Sequence, residues 1–157
     1  MSLSSDLLEQ SFHLARRDPR KPKQASLRRA VSTTYYALFH FLIEESKSNW
    51  RGEEARKLLG RAYEHGLMKA ASSRVMNQPF HGQDPQQVAK LKFMARTFVR
   101  LQERRHDADY NTDSGWTRTQ ALEIARSVEK AFHDWEAIRK ELIVQEYLVS
   151  LLAKQRN

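Results

Sequence analysis

Residues 27 to 45 read LRRAVSTTYYALFHFLIEE, and this stretch carries the strongest structural signal in the chain. Leu27, Ala30, Val31, Tyr35, Leu38 and Leu42 recur at three- and four-residue steps, while Tyr36, Phe39 and Ile43 widen the same apolar stripe. Neither glycine nor proline interrupts it, so one helix is predicted from about Gln24 to about Ser48. Ser32, Thr33, Thr34 and His40 lie inside this pattern. A buried hydroxyl or imidazole without a partner costs a few kcal/mol, so these side chains are expected to make polar contacts between helices.

Outward from this segment the pattern stays helical. Asp6, with Glu9 three residues on, is expected to begin a first helix bearing Leu8, Phe12 and Ala15, which Pro19 and Pro22 end. After a connector at Asn49, Trp50, Arg51 and Gly52, a third helix is predicted from Glu53 to about Ser73, bent or split where Gly60 and Gly66 weaken it. Asp84 and Pro85 have the layout of an N-cap and first helical residue for a fourth helix, through Val88, Leu91, Met94, Ala95, Phe98 and Leu101, fading around Ala108 to Asn111. Thr117 and Gln120 form a capping box, and no glycine or proline follows, which predicts a fifth helix about 35 residues long. Its stripe comprises Ala121, Ile124, Ala125, Val128, Phe132, Trp135 and Ile138, then Leu142, Tyr147, Leu148 and Leu151. A helix of that length overhangs a small bundle, so its last third needs a folded-back helix or a second subunit. The expected fold is all-α: an up-and-down bundle of about five helices with a long C-terminal helix, in a single domain over residues 1–157.

Composition narrows the functional classes. A chain of 157 residues, 40% apolar and 29% charged, suits one globular domain with one core. Without cysteine there are no disulfides, thiolate nucleophiles or Cys-type zinc sites. No stretch approaches the roughly 20 apolar residues of a membrane span, and MSLSSDLLEQ lacks the layout of a signal peptide, so no membrane association and a cytoplasmic location are expected. The six histidines are scattered, and there is neither a Gly-rich phosphate loop nor a nucleophile elbow; no metal site and no cofactor are expected. The net charge of +8 favours polyanions, nucleic acid first. Arg16, Arg17, Arg20, Lys21 and Lys23 form a basic connector, Arg28 and Arg29 open the second helix, and Arg96, Arg100, Arg104 and Arg105 recur on the fourth. Taken singly, each group also reads as a solvated helix face.

Arg28, Arg29, Ala30, Val31 and Ser32, followed by Tyr35, Tyr36, Ala37, Leu38, Phe39 and His40, resemble the second helix of the HEPN superfamily of small helical bundles. Arg105, His106, Asp107, Ala108, Asp109 and Tyr110 resemble the end of a later HEPN helix. The resemblance implies a homodimer acting on RNA as a metal-independent ribonuclease of a toxin or defence system. It also implies an Arg and a His with four to six residues between them, often with a Tyr two beyond the His. The guanidinium holds the scissile phosphate and the imidazole moves the proton. With Tyr110 at the motif tyrosine, Ala108 stands where that His belongs. His106 is then the substitute proton carrier, with Arg100, Arg104 or Arg105 on the phosphate and Arg28, Arg29 and Arg96 as further nucleic-acid contacts. Arg74 with His81 and Arg126 with His133 meet the same loose spacing, so spacing alone selects none. In HEPN toxins paired with a nucleotidyltransferase antitoxin the motif tyrosine is nucleotidylated, which makes Tyr110 the modification site and such an antitoxin the implied partner. The competing reading is a non-catalytic homodimeric helical interaction module with a degenerate motif. Loss of the motif His favours that reading, and the basic charge favours the ribonuclease.

Overall fold

The structure is a computed structural model and describes residues 2–154. Those residues form seven helices and no strand: α1 (Leu3–Arg16), α2 (Gln24–Lys47), α3 (Glu53–Arg61), α4 (His65–Asn77), α5 (Pro85–Tyr110), α6 (Arg118–Ile138) and α7 (Leu142–Ser150). The all-α expectation holds, and none of these helices is long and apolar enough to cross a membrane. The count exceeds about five because two of the expected helices are each divided.

Side-chain caps mark the starts of α1, α5 and α6. Asp84 Oδ1 accepts the Gln86 N–H at 2.8 Å, immediately before Pro85. Thr117 Oγ1 accepts the Gln120 N–H at 3.1 Å and Gln120 Oε1 accepts the Thr117 N–H at 2.9 Å, a complete capping box. The first helix starts earlier than Asp6, because the Ser2 hydroxyl accepts the Ser5 N–H at 3.2 Å and caps a helix beginning at Leu3. The third segment is split between Gly60 and Gly66. Tyr63 occupies the break, buried, with its hydroxyl donating to Ser46.

The expected long C-terminal helix ends at Ile138, and Glu141 opens α7 in an extended conformation. No glycine or proline causes this; the phase of the apolar residues does. At about 100° per residue, the stripe of Ile143, Val144, Tyr147, Leu148 and Leu151 lies roughly 140° around the helix from that of Ala121 to Ile138. One straight helix buries only one of the two, and the break lets both be buried. Leu142, placed on the inward stripe by sequence, is 77% exposed. Of the two partners expected for this segment, the chain supplies the folded-back one: α7 packs on α4, and the Ser72 and Tyr147 hydroxyls lie 2.8 Å apart.

The chain packs as two units, and α2, α5 and α6 each contribute to both. The first comprises the residues up to Phe41 together with Arg100–Phe132. Its core holds Leu27, Val31, Tyr35, Leu38, Leu101, Ala125 and Val128, with Phe41 and Phe132 stacked at 4.1 Å between ring centroids. Within the second, Leu42–Val99 with the residues from His133 onward, Met68, Leu91, Phe98, Trp135, Ile138 and Tyr147 are buried. There Glu45 Oε1 accepts both the Trp135 indole N–H and the Arg139 Nε–H, each at 2.5 Å, just before the α6 to α7 break.

Two expectations follow. Glu45→Ala removes the acceptor of the Trp135 indole N–H and the ion-pair partner of Arg139, and should lower stability by about 2 kcal/mol in urea unfolding. Asp18 accepts the Lys23 backbone N–H at 3.0 Å, and that bond holds its carboxyl below the ordinary carboxylate range. A lowered folded-state pKa adds stability above the unfolded value and loses it as pH falls through the folded one. Asp18→Asn should therefore lower the melting temperature at pH 7 and flatten its decline in acid.

Candidate functional site

A helix leaves its last carbonyls without internal partners, and at the end of α5 that of Ala108, with two carbonyls just beyond the helix, is met from another helix. The Arg28 guanidinium of α2 donates through Nη1 to the carbonyls of Ala108, at 2.9 Å, and Asn111, at 2.7 Å, and through Nη2 to that of Ser114. One turn earlier, Gln24 Nε2 donates to the Trp116 carbonyl at 2.7 Å, and its Oε1 accepts the Trp116 N–H at 2.8 Å. Arg118 repeats the device on α1, donating through Nε to the Ala15 carbonyl at 3.0 Å and through Nη2 to that of Asp18. The end of α5 and the segment from 111 to 117 are thus tied to the start of α2.

On α5, successive residues point about 100° apart, and the basic cluster divides accordingly. Arg105 turns toward α2, its Cζ 5.0 Å from the Tyr35 ring centroid and 5.7 Å from that of Tyr36. Its Nη1 donates to the Tyr36 hydroxyl at 3.3 Å and lies 3.8 Å from Asp109 Oδ2. The Ser32 hydroxyl donates to the same carboxylate oxygen at 3.4 Å, the inter-helix contact expected of the buried hydroxyls. Thr34 instead bonds within α2, to the Ala30 carbonyl at 2.8 Å. Tyr35 is fully buried, and burial pushes its hydroxyl far up, so it stays neutral beside the guanidinium.

His106 faces outward, exposed, its ring 4.9 Å from that of Tyr110, which is 68% exposed. Arg100 and Arg104 take a third direction and, with Trp116, Gln120 and Glu123, line a pocket of about 250 Å³ between α5 and α6. Arg104 lies over the Trp116 indole, its Cζ 5.9 Å from the ring centroid.

The structure therefore does not gather the four residues expected to be catalytic. Arg100 and Arg104 share the pocket, Arg105 is engaged with α2, and His106 stands apart from all three. Ala108, at the motif His position, is 2% exposed and accepts Arg28 through its carbonyl, whereas His106, two residues earlier, lies about 200° away around the helix. Arg28, expected as a nucleic-acid contact, serves as a cap; Arg29 on α2 and Arg96 on α5 are exposed. Among the described residues no three His, Asp or Glu side chains gather as a metal-binding group would. Sequence reasoning missed Trp116 and Gln120 as walls of a pocket. The signal available was an indole placed next to a capping box, which fixes its direction. Set against known protein families, curated proteins and solved structures, the chain matches none.

The division of α5 is directly measurable. Arg105→Ala removes two ring contacts, the bond to the Tyr36 hydroxyl and the ion pair with Asp109, and should cost about 2–3 kcal/mol in chemical denaturation. His106→Ala should change stability by less than about 0.5 kcal/mol.

Proposed function

We propose that this chain is a HEPN-like up-and-down helical bundle that acts on RNA, gripping its phosphates through arginines of α5. The observation that carries this reading is a contrast between guanidiniums. Arg28, Arg105 and Arg118 are committed to protein partners, whereas Arg100 and Arg104 have no carboxylate partner among the described residues and open onto a concave surface. A guanidinium of that kind matches phosphate geometry and, in a chain of charge +8, meets a polyanion at short range after long-range attraction.

Metal-independent cleavage is the sharper form of the proposal, and exposed His106 supports it. In that chemistry the RNA 2′-hydroxyl attacks the neighbouring phosphorus and gives its proton to the imidazole. The bond from phosphorus to the 5′ oxygen breaks, and the imidazole returns the proton to that leaving oxygen. A guanidinium offsets the added charge on the phosphoryl oxygens. Tyr110 is open enough for nucleotidylation by a partner enzyme, which supports placing the chain beside a nucleotidyltransferase-type antitoxin. The second reading, a non-catalytic homodimeric module, is favoured by Ala108 at the motif His position and by the separate directions of His106 and the pocket arginines. Exposed Trp50, Leu58, Leu142 and Val149 supply apolar area of the kind a dimer covers in either reading.

Incubation of the purified protein with RNA in EDTA separates the two. Ribonuclease action predicts cutting that His106→Ala abolishes without lowering the melting temperature. Cutting that survives this substitution removes His106 from the chemistry, and tight binding without cutting favours the module. Binding should weaken steeply with salt, and each of Arg100→Ala and Arg104→Ala should reduce the slope of log affinity against log salt by about one.

A further inference from the structure

The pocket between α5 and α6 has the properties of a seat for a small anion. Two guanidiniums and one carboxylate, Glu123, line it, so its walls carry a net charge of plus one. Neither Arg100 nor Arg104 forms an ion pair with that carboxylate or any other among the described residues. Two residues that line the same space carry neutral donors. Gln120 uses its amide oxygen on the Thr117 N–H, which leaves its NH2 group as the donor end. Trp116 is 5% exposed, and its indole Nε1–H has no hydrogen-bond partner. A buried N–H without an acceptor is rare in native proteins and marks a place where an acceptor belongs.

Size and charge then select among anions. A pocket of about 250 Å³ is small beside the usual ligand site, but admits a phosphoryl group with part of the sugar it is attached to. A phosphate monoester carries about −1.5 to −2 charges at pH 7 and offers three acceptor oxygens, enough for two guanidiniums and a further donor. An internal diester carries a single charge and needs an exit for chain on both sides. We propose that this pocket binds a terminal phosphate monoester, carried by a free mononucleotide or by the 5′ end of an RNA chain. Arg100 and Arg104 take the phosphoryl oxygens, and the Trp116 N–H is the further donor that gains an acceptor. The choice of a nucleotide over other phosphate esters rests on the action on RNA proposed above.

The Trp116 indole supplies the readout. In 15N-labelled protein its N–H resonance is identified by its loss in Trp116→Phe. Titration with inorganic phosphate and with 5′-AMP should move that resonance downfield and saturate, whereas adenosine, which lacks the phosphate, should not. Arg100→Gln combined with Arg104→Gln should weaken 5′-AMP binding by at least about tenfold, with the amide spectrum confirming the fold. Trp116→Phe, read by calorimetry, should weaken it by about threefold to tenfold. Two short RNAs of identical sequence, one with a 5′-phosphate and one with a 5′-hydroxyl, identify the source: preference for the first assigns the RNA end, and equal binding assigns the free nucleotide. An unmoved resonance with phosphate and 5′-AMP, an equal response to adenosine, or affinity indifferent to the paired arginine substitution overturns the proposal. If the pocket fails while RNA is still bound or cut, the action on RNA stands without it. If 5′-AMP binds while RNA is neither bound nor cut, the action on RNA falls and the nucleotide site remains.

Discussion

The carbonyls at and just beyond the C-terminal end of α5, those of Ala108, Asn111 and Ser114, are the constraint around which the first unit is arranged. Satisfying them takes a forked donor with several N–H groups held in a plane, which is why Arg28 rather than a lysine suits the position. Once Arg28 and Gln24 hold the chain from 108 to 116, the positions of Trp116 and of the capping box at Thr117 follow. That sets where α6 begins, and Arg118 on its first turn closes the end of α1. A chain of side-chain to carbonyl bonds thus runs from α1 to α6 to α2 to α5. The arginines left over on α5 acquire their directions as a by-product.

Counting charges therefore misstates how basic this protein is toward a partner. A guanidinium with its donors aimed at carbonyls, or stacked against two tyrosines beside an aspartate, contributes to the long-range field but offers little at contact. Arg28, Arg105 and Arg118 belong to that group. Arg29 and Arg96, exposed, and Arg100 and Arg104, in the pocket, do not. Neighbours in sequence fall on opposite sides of the distinction: Arg104 and Arg105 differ by one position and by about a quarter turn, and have unrelated surroundings.

The elements with strong periodicity and explicit caps were readable without coordinates. The span of α2, the Asp84 and Pro85 start of α5, its end near Tyr110 and the Thr117 box all follow from local chemistry. The break after Ile138 is different, since residues 139 to 141 contain no breaker. Its only trace in the sequence is the change of phase between the stripe ending at Ile138 and the one at Ile143, Val144 and Tyr147, and a list of apolar positions hides this unless their angles are compared. The site was legible in composition and not in arrangement. The residue types drawn from α5 are all present, but which of Arg100, Arg104, Arg105 and His106 share a face depends on what packs against that helix. The double use of Gln24 depends on a contact 92 residues away along the chain, which no local pattern encodes.

Each unit is assembled from two stretches of chain separated by a long excursion: the first closes only when the residues up to Phe41 meet those after Val99, and the second requires the C-terminal segment to return to Leu42–Val99. No contiguous fragment holds one unit whole without also carrying part of the other. The protein therefore lacks the modularity that would let one half be excised, fused elsewhere or lost by a single truncation, and its folding nucleus has to bridge distant sequence at the entropic cost of closing a large loop.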